Sequence, residues 1–493
     1  MKEFVVSAQM VIPLILTGIA PLLIVFMRKD PNRREMVSFI IAILTFLSVI
    51  SLVPPVLNHK VLIYKISELI PGISFKLAVD GMSLLFAIVS SFLWIFATSY
   101  NIGYMRSLKE HAQTRFFAFF ALAIFGALGV AFSGNIFTMY FFYEIITVAT
   151  FPLVGHEQTE TALEGAKKYL IYLMGTSKLF LLPAMILTYV YAGTLDFNLM
   201  DLAHGIFPTT TPHWIMVLTY ALYIAGIAKA AIMPLHNWLP SAMVAPTPVS
   251  ALLHAVAVVK AGVFSIARVV LCVMGTNAMH RLHLDIPSAY LASFTILVAS
   301  IIALTKDDLK ARIAYSTISQ LSYIVLGVVL LAPAAIQGGL FHIAAHAFSK
   351  ITLFFAAGAI YVAAHLKKVS QLSGVGRKMP ITFGMFGLAT ISMIGLPPAV
   401  GFVSKWYLIE GALNIHQVIF MVVLLISALF NAAYFVPIVY KGFFEKPKPG
   451  IEIEHISEAP LTMVIPLTVT AIASLLLGIY PYFFLNLIQT LWR

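Results

Sequence analysis

One cysteine, Cys272, stands among 493 residues. A lone thiol forms no internal disulfide and no thiolate cluster for zinc or iron–sulfur, which argues against redox metal chemistry inside the chain. Charge is scarce as well: only 10% of residues are Asp, Glu, Lys or Arg, against 60% hydrophobic residues. With a mean hydropathy of +0.95, water is not the main solvent of a chain this long. No Gly-rich dinucleotide fingerprint, cysteine cluster or haem-ligand arrangement occurs, so no cofactor and no metal is expected in this chain.

What remains is apolar sequence in runs of about 20 residues, enough to cross a hydrocarbon core of about 30 Å. Apolar runs read against charged or Pro/Gly-rich breaks predict helices near 4–27, 35–57, 79–102, 115–132, 135–155, 165–191, 213–247, 249–274, 288–304, 311–331, 333–363, 380–411, 415–441 and 461–488. The first run is longer than a signal-peptide core and lacks a small-residue cleavage site, so it reads as a retained helix. The expected class is an all-α polytopic membrane protein of about 14 transmembrane helices.

Of the 31 Lys and Arg residues, nineteen fall in alternate loops or at the helix ends beside them, six on the opposite side and six deeper inside predicted helices. Basic residues concentrate in cytoplasmic loops, so the asymmetry supports an even helix count and puts both termini away from the cytoplasm. The net charge of +11 is then membrane topology, and no nucleic-acid partner is expected. The expected location is the cytoplasmic or other energy-converting cell membrane, with the lipid bilayer around the chain.

Two segments depart from plain helices. Residues 213–247 carry Pro234, Pro240 and Pro246, and 380–411 carry Gly395-Leu-Pro-Pro398. Proline frees backbone groups that lipid cannot satisfy, so both breaks predict a protein-lined or wet surrounding. Each sits beside a lysine, Lys229 or Lys405, and five helices separate them, as in transporters built from repeats with one discontinuous helix each. Residues 71–80 alternate in polarity and predict a small extramembrane hairpin.

A charged group at the bilayer centre costs about 2.5–3.5 kcal/mol, so each needs a reason. Glu144 lies midway through an apolar helix and suits a lysine partner on a broken helix. Moving the two together or apart would load and unload a proton. The alternative is a static ion pair joining two helices. His342, His346 and Lys350 recur at i, i+4 and i+8, one helical face of about 12 Å along which water-joined groups can relay protons. Zinc on the histidine pair lacks a third ligand nearby in sequence. Lys260, six residues after His254 and flanked by small residues, suits a central relay. Arg268 holds its proton too tightly for exchange and reads as structural; Lys178 has no assigned role.

These stretches together resemble the antiporter-like membrane subunits shared by respiratory complex I, membrane-bound hydrogenases and Mrp-type cation/proton antiporters, the last through their D-type member. The resemblance rests on Phe142-Tyr-Glu144, on Lys229-Ala-Ala-Ile-Met-Pro-Leu-His-Asn-Trp-Leu-Pro240 running into Ala245-Pro-Thr-Pro-Val-Ser-Ala-Leu-Leu-His254, on Val259-Lys-Ala-Gly-Val263, on His346-Ala-Phe-Ser-Lys350, and on Gly395-Leu-Pro-Pro398 before Lys405. It implies N-terminal helices 1–3 in residues 1–114, inverted five-helix repeats in 115–274 and 288–441, each with a broken helix, and a last helix in 461–493.

It also implies roles: Glu144 and Lys229 as the modulating pair, Lys260 as the central connection, His254, His342 and His346 as intermediates, and Lys405 as the terminal lysine. Lys350 joins them as a relay. The implied activity is proton translocation within a multisubunit energy-converting complex of complex I or hydrogenase type, beside other membrane subunits. The alternative is membership of an Mrp-type Na+/H+ antiporter without redox activity, with sodium as the other ion. Some family members carry glutamate where this chain has Lys405, and Lys178 lies outside the pattern. The chain stops after its last predicted helix without a long lateral extension, which disfavours the largest complex I antiporter-like subunit.

Overall fold

A computed structural model describes residues 2–449 and 453–492, and for His254 the backbone alone. The chain opens with strand β1 (Glu3–Val6), followed by helices α1 (Val11–Phe26) and α2 (Pro31–Ile50), strands β2 (Lys60–Ile70) and β3 (Ile73–Val79), and helices α3 (Gly81–Ser107), α4 (Gln113–Ala131), α5 (Ile136–Val154) and α6 (Glu160–Thr176). After a π-helical turn (Ser177–Leu181) come α7 (Leu182–Ala192), α8 (His213–Gly226), α9 (Val258–Arg268), α10 (Asp285–Thr305), α11 (Leu309–Val329) and α12 (Pro333–Ala364). The last five are α13 (Pro380–Ile394), α14 (Val400–Asn414), α15 (Val418–Phe444), α16 (Leu461–Ile479) and α17 (Tyr482–Gln489).

Among the described residues, nine helical segments are long and apolar enough to cross a membrane, and α1, α8 and α13 are shorter apolar helices. A helix satisfies its own backbone except at the ends, where side chains must help. Asp30 accepts from the Asn32 and Arg33 amides to start α2, Asp80 from Ser83 to start α3, Asn135 from Thr138 to start α5, and Asp308 from Ala311 to start α11. The outward faces are apolar, as at Phe26, Leu429 and Leu461, whereas Lys229, Lys260, Lys350 and Arg268 are wholly buried. Polar groups thus collect inside, where other protein groups receive them.

Several expectations are corrected. The chain is not wholly helical: β1, β2 and β3 form one small sheet, β1 parallel and β3 antiparallel to β2. Residues 71–80 are the turn and second strand of a longer hairpin, with Gly72 at φ +82° supplying the left-handed turn position. The helix expected over 4–27 begins only at Val11, because Glu3–Val6 pair with Lys60–Ile63. The helix expected over 35–57 starts at Pro31, after its Asp30 cap, and breaks before the short helix Val53–Leu57. In the 213–247 segment the long helix ends at Gly226 and only short helical turns follow, Ala228–Ala230, Trp238–Ser241 and Ala242–Val244, and 249–274 carries π-helical turns at Leu252–Val256 and Val269–Met274 on either side of α9. The last expected helix divides at Pro481 into α16 and α17.

Candidate functional site

Lys229 stands in the turn where α8 has ended. The backbone groups freed there find partners: Trp238 Nε1 donates to the Ala228 carbonyl at 2.9 Å, and the Met233 amide donates to Thr295 Oγ1 at 3.2 Å. The Lys229 ammonium donates to the Tyr143 carbonyl at 2.9 Å and to Thr147 Oγ1 at 2.6 Å. It also lies 3.2 Å from the centre of the Tyr143 ring, a favourable site for a desolvated cation.

Glu144 follows Tyr143 by one residue, hence about 100° around α5, and faces elsewhere. Its carboxylate lies 3.4 Å from the ammonium of Lys178, which also donates to Tyr140 Oη at 2.7 Å. The glutamate–lysine pair therefore forms with Lys178, in the π-helical turn, while Lys229 bonds to Tyr143 and Thr147. The Lys178 side chain is 50% exposed and that of Glu144 15%, so this pair faces outward. The i, i+4 spacing of Tyr140 and Glu144, with one uncommitted lysine in a neighbouring helix, was the signal available in the sequence.

Lys260 reaches the centre through α9 (Val258–Arg268), whose second turn packs on the Lys229 turn at Gly262. A Cβ on Gly262 would lie 2.3 Å from the Ala230 amide nitrogen and 2.4 Å from the Lys229 carbonyl carbon. Gly262→Ala must push two backbones apart, at about 1–3 kcal/mol for overpacking. The expected result is a lowered midpoint in thermal unfolding of the detergent-purified protein; an unchanged midpoint contradicts this close approach.

The Lys260 ammonium and His346 Nδ1 share a hydrogen bond. His342, one turn earlier on α12, meets Ser404 Oγ at 2.8 Å through Nδ1 and Gln320 Oε1 at 3.0 Å through Nε2. The two imidazole centroids are 6.0 Å apart, too far for a direct bond and within reach of a bridging water. Lys350 bonds to Ser316 Oγ and donates to the Ile313 carbonyl at 3.2 Å. The i, i+4, i+8 stripe thus exists on α12, and each member leans on a different neighbour. The side chain of His254 lies outside the described residues.

Lys405, on α14, reaches back across the second break. Its ammonium donates to the carbonyls of Met393 and Ile394 at 2.7 and 2.9 Å, occupying acceptors that the end of α13 leaves open. Gly395, at φ +90°, leaves the room: a Cβ there would stand 2.6 Å from Lys405 Cδ. Tyr323 links this end to the centre, its ring stacked 5.3 Å from that of His342 and 5.2 Å from the Lys405 ammonium. The arrangement is a buried series of basic groups running from one helix break to the other, its lysines at both breaks held by carbonyl oxygen.

Residues 133–431 match the family described as "NADH:quinone oxidoreductase/Mrp antiporter, TM". The chain belongs to this family. It is 32% identical over 429 residues to NADH-quinone oxidoreductase subunit N of Desulforudis audaxviator, covering 85% of this chain and 84% of that one. It is also 32% identical over 449 residues to a probable K(+)/H(+) antiporter protein of Rhizobium meliloti, the A/B subunit, covering 90% of this chain and 44% of that one. Among solved structures, the membrane-bound sulfane sulfur reductase, an archaeal respiratory membrane complex, contains a chain that matches with a TM-score of 0.84 and 26% identity, over 98% of this chain and 96% of that one.

This antiporter-family chain is a multi-pass membrane protein of a respiratory or antiporter type. Residues that sequence reasoning passed over include Tyr143, Thr147, Ser316, Gln320, Tyr323 and Ser404. Gln320 and Tyr323 were within reach of it, since Ser316, Gln320 and Tyr323 recur at i, i+4 and i+7, one polar face along a largely apolar helix.

Proposed function

We propose that this chain carries protons as the antiporter-like membrane subunit of a multisubunit energy-converting complex, of complex I or membrane-bound hydrogenase type. The observation that carries this reading is the buried Lys260–His346 hydrogen bond. It joins an ammonium to an imidazole at the centre of a series of basic groups. A static bond would satisfy the same buried groups, but an ammonium set against an imidazole also gives a proton two nitrogens between which to pass, and translocation separates the two roles. Glu144, Lys229, Lys260 and Lys405 exchange protons, and His254, His342, His346 and Lys350 relay them.

The finer architecture belongs to the same proposal: fourteen crossings, inverted five-helix repeats over 115–274 and 288–441, and both termini away from the cytoplasm. The paired breaks at Lys229 and before Lys405 support the repeats. Redox groups are proposed to reside in partner subunits. The Rhizobium meliloti relative, by its name part of an antiporter, favours a second reading, an Mrp-type antiporter component without redox chemistry.

The test uses the purified parent complex in sealed vesicles, with internal pH followed in sodium-free and sodium-containing buffer. Substrate-driven pH change in sodium-free buffer is expected. A pH change that appears only when a sodium or potassium gradient is imposed, with no response to any electron donor, favours the antiporter and rejects the redox-driven pump.

A further inference from the structure

Away from the buried series, two loops carrying basic residues meet at the ends of α3, α5 and α6. The chain leaving α3 turns sharply, with Lys109 and Ala112 both at positive φ, and this places Glu110 and His111 beside His156, which follows the end of α5. Glu110 Oε2 lies 3.8 Å from His156 Nε2 and 3.9 Å from His111 Nδ1. One ligand atom from each of the three residues lies within 4.8 Å of the others.

His156 makes the cluster more than a surface coincidence. Its side chain is wholly buried, yet neither ring nitrogen has a hydrogen-bond partner of normal geometry among the described residues. Leaving a buried polar atom unsatisfied costs about 1–3 kcal/mol, a penalty a bound ligand would remove. The ring is held by packing: it stacks on His111 with centroids 4.8 Å apart and meets the edge of Phe116 at 5.6 Å. Arg115 donates to the His156 carbonyl at 3.1 Å, fixing the backbone while its guanidinium adds no ligand to the set.

We propose that Glu110, His111 and His156 bind a divalent cation of the zinc class. Two imidazoles and one carboxylate are the donors such an ion takes, with a fourth position open to water. Metal–ligand bonds of about 2.0–2.2 Å in a tetrahedral site separate the ligands by roughly 3.4 Å. The two distances from Glu110, 3.8 and 3.9 Å, and the His111–His156 separation, within 4.8 Å, close to that value by rotation of Glu110 and His111, whose side chains are 18% and 48% exposed. The same exposure gives the ion its entry path, with buried His156 as the fixed anchor. The bound ion ties the loop after α3 to the turn after α5, the helix that carries Tyr143, Glu144 and Thr147.

The assay equilibrates the purified complex with buffered free Zn2+ and measures zinc per complex by mass spectrometry. Co2+ substitution supplies a second readout through its visible absorption. Wild type is expected to hold one more tightly bound zinc than His111→Ala or Glu110→Gln. Loss of a direct ligand should weaken binding by more than the ~10–100-fold typical of a lost outer partner. Intense Co2+ bands of four-coordinate character should appear in wild type alone. His111 lies on an exposed loop, so its variant keeps the test valid where His156→Gln fails to fold. Equal zinc content and equal Co2+ spectra in wild type and His111→Ala overturn the site.

Discussion

Lys405→Arg is expected to leave the protein folded and assembled while lowering proton translocation by roughly 70- to 400-fold. The ammonium of Lys405 has two separable tasks. It caps the carbonyls of Met393 and Ile394 at the end of α13, and in the proposed path it accepts and releases the proton at the second break. A guanidinium performs the first task, since it donates to carbonyls, but does not release its proton in a protein. The proton must then pass without an acceptor, and a charge carried unaided at membrane depth costs about 2.5–3.5 kcal/mol. At about 1.36 kcal/mol per tenfold this gives the stated range.

Lys405→Met separates the tasks from the other side, removing both cap and acceptor. It should also destabilise the protein, lowering the thermal midpoint, because the carbonyls of Met393 and Ile394 lose their donor, at about 1–3 kcal/mol for each buried acceptor left unsatisfied. The measurements are vesicle acidification, normalised to assembled complex, and unfolding midpoint. Translocation within a fewfold of wild type in Lys405→Arg removes Lys405 from the path and leaves it a helix cap.

The membrane class and the basic residues of the interior were legible because both are local properties of the chain. Apolar runs of about 20 residues declare themselves without reference to anything distant, and an i, i+4, i+8 stripe such as His342, His346 and Lys350 follows from helical periodicity alone. The failures were of contact. His342 is held by Ser404, 62 positions away, and by Gln320, 22 positions away, and no window over α12 contains either. Glu144 drew a lysine, as its cost at membrane depth requires, but which lysine depended on the rotation of α5, whose step from Tyr143 to Glu144 sends one residue to Lys229 and the other to Lys178. His156 stands 45 residues from His111, so their stacking had no sequence signature. Strand β1 was hidden for a similar reason: four apolar-rich residues before a hydrophobic helix read as its continuation until Lys60–Ile63 offer them a ladder.

Arg268 provides the second large effect. Its guanidinium makes a two-pronged pair with Asp80, both bonds at 2.7 Å, and donates to Ser83 Oγ at 2.8 Å. Arg268 is fully buried and Asp80 4% exposed, so neither charge has water to fall back on. Asp80 also sits where a helix end favours it, capping the N-terminus of α3.

Removing one partner strands the other, and Asp80→Ala or Arg268→Ala is expected to cost about 3–5 kcal/mol, read as a fall in unfolding midpoint and in yield of assembled complex. The joint change Asp80→Leu with Arg268→Met removes both charges and keeps apolar volume. It should recover most of that loss, because paired buried charges are replaceable by hydrophobic groups at little net cost. A double-mutant cycle isolates the coupling between the two side chains. A coupling below about 1 kcal/mol, the level of an exposed pair, would mean the two charges do not hold α3 to α9. Proton translocation per assembled complex should survive the double change, since a guanidinium that keeps its proton contributes position and not transfer.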